Sequence, residues 1–313
     1  MMAASRHHLH RRQRPMGKRI KTLAIALAAL LGLAAVAVTT LVLLGNSRLN
    51  KVYRVQPETV AVPADGAALQ RGQYLVATGC AGCHGGNLAG TPFFEDPALG
   101  RIPAPNLTGG AGGIGATYTD QDLLLAIRHG IGQDGRPLMI MPSDAFWHYS
   151  DEDLAAVIAY LHSAPPVDND LGERTLGLLG RVLVGAGVLN VLAAERIDHD
   201  GPRPVAPPQQ VDAAYGEYVA NISDCRSCHG PALAGGRSSE PGAPPGPNLT
   251  PGGDLATWTA ADFVRTLQTG VTPAGKALNP AYMPWPGYGQ MTEEDLTALF
   301  LYLQSLPAVA GQE

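Results

Sequence analysis

Hydrophobic and polar positions fall into distinct patterns along the chain. Residues 22–44 read TLAIALAALLGLAAVAVTTLVLL, 23 residues without a charge. At 1.5 Å per residue this is about 34 Å of helix, enough to cross a bilayer. Later segments space their apolar residues at i, i+3, i+4 and i+7: Leu154, Val157, Ile158 and Leu161, then Leu296, Leu299, Phe300 and Leu303. That spacing predicts amphipathic helices, each with one buried stripe. Helix starts of the form Ser/Thr-x-x-Asp occur at Thr119/Asp122, Ser150/Asp153, Thr259/Asp262 and Thr292/Asp295. Short patterns around Gly72 and Gly216 predict an opening helix in which glycine permits a close crossing. No period-two alternation of strand length appears, so the pattern predicts an all-α fold.

These elements recur. Residues 72–90 (GQYLVATGCAGCHGGNLAG) match residues 216–235 (GEYVANISDCRSCHGPALAG). Each is followed by PNLT, a Thr-capped helix ending in Gly, a Met-Pro pair and a last helix. A period near 145 residues is too long for a solenoid and describes two homologous domains. The chain divides into a basic tail (1–21), an apolar helix (22–44), a linker (45–65), a first domain (66–165), a connector (166–210) and a second domain (211–313).

Composition sharpens this picture. Hydrophobic residues make up 45% and charged ones 16%, which excludes a disordered chain. With 38 glycines, 26 prolines and only 6% aromatics, two small cores of side chains alone are marginal. Something else must help hold each unit together. The net charge of −5 is unevenly spread: residues 1–51 carry nine Lys/Arg and no acid, and the rest carry 13 basic against 27 acidic residues. An acidic body disfavours nucleic-acid binding. Basic residues before the apolar run keep the N-terminus cytoplasmic and send residues 45–313 across the membrane. Ala35-Val36-Ala37 offers a signal-peptidase site, but the apolar run continues past it, so an uncleaved anchor is expected. His7, His8 and His10 read as part of a solvated tail.

All four cysteines lie in two copies of C-x-x-C-H: Cys80, Cys83 and His84, then Cys225, Cys228 and His229. Two thiols three positions apart can add to the two vinyl groups of one porphyrin, with the adjacent His ligating its iron; the motif reads as c-type haem attachment. The competing readings are a redox dithiol, a four-thiolate zinc site and two local disulfides. A dithiol needs no following His, zinc would require pairs brought together from 145 residues apart, and the disulfides would constrain little. Two covalently bound haem c groups are therefore expected.

With C-x-x-C-H, a following Pro-x-Leu, a late Met-Pro and a last helix ending in Tyr-Leu in both halves, each half resembles a small all-α cytochrome c domain. The pair is similar to membrane-anchored dihaem cytochromes c, including cytochrome subunits of periplasmic dehydrogenases. The resemblance covers roughly residues 66–165 and 211–313. It implies His/Met axial ligation, and the repeat selects the methionines: Met141 to Tyr160 and Met283 to Tyr302 are both 19 residues. Met139 aligns with Ala281 and reads as a packing residue. His129, His148 and His162 align with Thr269, Gln290 and Gln304, so no second His recurs as a ligand. The resemblance further implies that carbonyls of Pro105 and Pro247 accept from the ligand histidines. Tyr118 and Trp258 occupy one position in the two copies; they either donate to haem propionates or are buried aromatics satisfied elsewhere. The Asn106 and Asn248 sequons read as haem-loop elements because of their repeat position.

In the connector, residues 176–194 are apolar but interrupted by Arg181 and Asn190. A second span would strand the second Cys motif in the cytoplasm, so a helix between the domains or at the membrane surface is expected. A Pro-rich linker (201–210) follows. The whole reads as a single-pass protein of the cytoplasmic membrane with both haem domains on the periplasmic side. It is expected to relay single electrons between redox protein partners, or to serve as the cytochrome subunit of a dehydrogenase or respiratory complex. A catalytic role is not expected: a dihaem peroxidase needs an open iron position, which a Met ligand would fill.

Overall fold

The computed structural model describes residues 16–56, 58–236 and 243–310. Arg6, Arg11, Arg12, Arg14 and the three tail histidines lie outside the described residues. The apolar run is the middle of a longer helix, α1 (Met16–Leu49). Its leucines and isoleucines are largely exposed, Leu23 at 69% for example, and it is long and apolar enough to cross a membrane. Its last turns, however, pack against protein.

The first repeat supplies α2 (Gly66–Gly79), α3 (Ala81–His84), α4 (Asp120–His129), α5 (Ser143–Phe146) and α6 (Asp151–Ser163). After α7 (Leu178–Gly185), the second repeat supplies α8 (Ala213–Ile222), α9 (Cys225–His229), α10 (Ala260–Thr269), α11 (Trp285–Tyr288) and α12 (Glu293–Ser305). Both apolar stripes read from the sequence are buried, with Leu154, Val157, Ile158 and Leu296 at 0% exposure. In each domain the opening helix crosses the last one at its glycine. A Cβ on Gly72 would sit 2.0 Å from the Ala156 carbonyl oxygen, and one on Gly216 would sit 1.9 Å from that of Ala298. Gly216→Ala must therefore push α8 off α12. The expected cost is about 1–3 kcal/mol, as for other overpacked sites, measured as a lower unfolding midpoint; an unchanged midpoint would contradict this crossing.

The all-α expectation needs correction. Two small antiparallel sheets accompany the helices. The strands β1 (Thr91–Asp96) and β2 (Gly100–Ala104) form a hairpin that β3 (Thr175–Leu176) joins; β4 (Ala234–Gly236) pairs with β5 (Gly246–Asn248). Both hairpins occupy the loop after a C-x-x-C-H helix. The first shows no alternating pattern because Pro92, Pro103, Gly100 and a bulge between Thr91 and Phe94 break it, and the strands of the second, three residues each, are too short to show one.

Of the two places expected for the connector helix, between the domains or at the membrane surface, the first is not the one seen: helix α7 lies against the end of α1. The two backbones meet at glycines, with a Cβ on Gly185 only 1.9 Å from the Leu41 carbonyl oxygen. Arg181, read as an interruption, donates to Asn46 Oδ1 at 2.5 Å, and Arg48 pairs with Glu195. The segments flanking domain one are likewise stitched down. Glu58 is buried and pairs with the fully buried Arg128 at 3.0 Å, and Arg203 of the Pro-rich stretch meets Asp151 at 3.1 Å. Most buried apolar residues of the two domains form one continuous hydrophobic core.

Candidate functional site

The C-x-x-C-H segments begin where the opening helices end. Cys80 is the C-cap of α2, and α9 starts at Cys225. The four cysteines form no disulfide. Burial pushes the Cys80 and Cys225 thiols up to about 12, so both stay neutral. A redox dithiol works in the opposite way, through a thiol depressed toward neutrality. The two pairs do not converge on a common metal set among the described residues.

The histidines are held alike in both copies. His84 Nδ1–H donates to the Pro105 carbonyl at 2.8 Å, and His229 Nδ1–H donates to that of Pro247 at 2.9 Å. Burial depresses both imidazoles below the ordinary histidine range and keeps them neutral. With Nδ1 committed as a donor, Nε2 is the nitrogen left with a lone pair. The prolines reach these rings because the following Asn is fixed: the buried Asn106 donates to the Val167 carbonyl at 2.7 Å and accepts from the Thr108 N–H at 2.9 Å. Asn248 and Thr250 repeat the second bond.

One feature of these loops is illegible in the sequence. Leu88 and Leu233, repeat equivalents, both adopt left-handed backbone (φ 59° and 55°) while almost fully buried. Each carbonyl accepts from the Leu of the PNLT segment at 2.8 Å, which holds the strained turn.

In the first domain these groups border a crevice of about 820 Å³. Cys80, Cys83 and His84 line it together with Met139 and Met141, and its apolar walls include Leu123, Ile127 and Phe146. Two sulfurs, one imidazole with a free Nε2 and largely apolar walls, with Arg136, Arg174, Asp134 and Glu173 also in the lining, fit a flat, largely hydrocarbon macrocycle that carries polar substituents and holds a soft metal. In the second domain Cys225, Leu249, Trp258, Met283 and Tyr288 pack partly buried against the core.

The two early methionines diverge at Ile140, which itself has φ 67°. Met139 joins Leu49, Ile102, Val184 and Leu192 in a separate buried cluster, whereas Met141 packs on the main core. Tyr118 lines the crevice, and burial raises its phenol. Trp258 is half-buried in the corresponding place.

The three unmatched histidines lie elsewhere. His162 contacts Asp120 at 2.7 Å on the surface, and His148 is half-buried outside the crevice lining. His129 is fully buried, with Nδ1 3.0 Å from His199 Nδ1 and its Nε2 beside Glu58.

The sequence signature described as cytochrome c matches residues 69–165 and 213–307. The chain is 31% identical over 300 residues to the fructose dehydrogenase cytochrome subunit of Gluconobacter japonicus, covering 89% of this chain and 60% of that protein. It is 27% identical over 274 residues to the alcohol dehydrogenase (quinone) cytochrome c subunit of Gluconacetobacter polyoxogenes, covering 79% and 57%. Similarity to the gluconate 2-dehydrogenase cytochrome c subunit of Pantoea cypripedii is 31% over 181 residues, covering 54% and 39%. The chain thus spans at most about three fifths of the length of these relatives. With two matched regions, each built around a C-x-x-C-H helix, the chain belongs to the cytochrome c family as two such domains in tandem.

Proposed function

We propose that the chain is a membrane-anchored dihaem cytochrome c that relays single electrons, acting as the electron-accepting subunit of a dehydrogenase on the periplasmic side. The observation that carries this reading is the paired His Nδ1–prolyl carbonyl bond behind both C-x-x-C-H motifs, at 2.8 and 2.9 Å. That bond fixes each ring's tautomer and orientation and increases the donor strength of Nε2. Haem c, held through Cys80 and Cys83 and through Cys225 and Cys228, would supply one-electron iron chemistry at each site. His84 and His229 would ligate on one face, and Met141 and Met283 on the other. The apolar part of the walls would limit reorganisation when charge changes. Tyr118 and Trp258 would donate to haem propionates.

The related proteins carry names with different substrates: fructose, alcohol and gluconate. What they share is a cytochrome subunit, so accepting electrons, rather than recognising a substrate, is the role carried over here. Helix α1 would anchor the chain, with its basic flank in the cytoplasm.

A reductive titration of the detergent-solubilised protein tests the relay directly. Two electrons per chain should be taken up, and neither cyanide nor peroxide should change the spectrum. Ligand binding at either iron would instead favour the peroxidase reading and overturn Met ligation at that site.

A further inference from the structure

Four helices begin with a Thr/Ser-x-x-Asp cap, but they are not closed alike. At α4 and α10 the box is complete: Thr119 and Thr259 accept from the N–H of Asp122 and Asp262, whose carboxylates accept from the N-cap N–H in return. At α6 and α12 only the first half forms. The carboxylates of Asp153 and Asp295 turn away from their own N-cap N–H, and a tyrosine from the other domain takes the space between.

Tyr218 of domain two donates to Asp153 Oδ2 at 2.6 Å and accepts from the Ser150 N–H at 3.2 Å. Tyr74 of domain one donates to Asp295 Oδ2 at 2.5 Å and accepts from the Thr292 N–H at 3.3 Å. Tyr74 and Tyr218 are repeat equivalents, as are Asp153 and Asp295. Each domain therefore completes the other's helix cap with the same residue, the reciprocal pattern of an isologous dimer interface. The two halves differ in reinforcement: Arg71 also donates to both oxygens of Asp153, at 2.8 and 2.6 Å, while its repeat equivalent is Tyr215.

These tyrosines sit on α2 and α8, the helices that end at the Cys pairs. Locking them across the interface places the two C-x-x-C-H turns close together. Gly79, just before Cys80, shares a small cleft with Ile222 and Ser223, just before Asp224 and Cys225. Tyr288 donates to the Ser223 carbonyl at 3.0 Å, and its helix α11 packs on α2 of the other domain.

We infer that Tyr74 and Tyr218 are positioning residues: by completing the α12 and α6 caps in trans, they hold the two redox sites at a fixed separation for direct electron exchange within the chain. This rests on the dihaem reading above. In that exchange one electron leaves the ferrous site and arrives at the ferric one; no bond is made or broken and no proton moves.

The test uses the full, haem-loaded chain with Tyr74→Phe, Tyr218→Phe and both together. Phenylalanine keeps the ring in the core and removes only the hydroxyl. Hydrogen exchange should respond in a crossed manner: about tenfold faster at the Thr292 amide in Tyr74→Phe and at the Ser150 amide in Tyr218→Phe, the effect of one lost hydrogen bond. Electron redistribution between the sites after partial photoreduction should slow several-fold in the double variant and become viscosity-dependent, as domain opening begins to gate it. Should the double variant not fold, each single variant should show its own amide change and a smaller slowing. Unchanged amides, amide changes in the substituted domain alone, or freed amides with an unchanged viscosity-independent rate would overturn the inference. A wild-type chain carrying fewer than two haems would instead overturn the dihaem reading, and is measured separately.

Discussion

Replacing Cys225 and Cys228 together by serine is expected to leave one covalent haem per chain and to unfold the second domain. Helix α9 is only five residues long, and the side chains around it pack incompletely on protein alone. Leu249, Trp258, Met283 and Tyr288 all remain partly exposed. Fully burying a large apolar side chain contributes about 1.5–3 kcal/mol. Covering the part still exposed on these four therefore contributes about half of that each, a few kcal/mol against the about 5–15 kcal/mol stability of an ordinary domain. The first domain should keep its haem but melt at lower temperature, because the hydrophobic core runs across both domains. Haem content and thermal melting followed by circular dichroism check this. Two haems per chain, or an unchanged melt, would contradict it.

The second large effect is on potential. Met141→His should lower the midpoint of the first site and leave the second where it was, because imidazole donates more strongly to ferric iron than a thioether does. Axial ligation spans about 0.8 V across haem proteins, so the shift should be readily resolved in a redox titration. Met139→Leu should leave both potentials in place and cost less than about 1.5 kcal/mol, as a volume-conserving swap in its separate cluster. Since both methionines line the same crevice, the pair of variants decides between them. A shift with Met139 and silence with Met141 would assign the ligand to the other residue. His129 is poorly placed as a substitute: it is buried between His199 and Glu58 and does not line the crevice.

Much of this architecture was legible because it repeats. The stripes of the last helices and the close crossings at Gly72 and Gly216 each follow from a local pattern present twice, whereas the approach of Pro105 and Pro247 to the histidines was expected only from the resemblance to cytochrome c. What was not legible depends on partners distant in sequence. The β1–β2 hairpin carries prolines and a bulge that erase alternation, and its third strand comes from the connector. Helix α7 reads as an isolated apolar stretch; its place against α1 follows from Gly45 and Gly185 meeting across more than a hundred residues. The buried Glu58 lies in what reads as a linker, and only the fold brings Arg128 to it. Ser150/Asp153 and Thr292/Asp295 look the same in sequence as the two closed caps. Their difference is a tyrosine supplied by the other domain.

The central claim is that each C-x-x-C-H turn holds a haem through two thioethers. The most direct measurement is the haem content of the purified full-length chain after denaturation and acidified-solvent extraction, with mass spectrometry of the peptides containing Cys80/Cys83 and Cys225/Cys228. The account predicts two haems per chain that stay with the polypeptide, one on each peptide. Haem that extracts into solvent, or a peptide found with free thiols in fully matured protein, would contradict it.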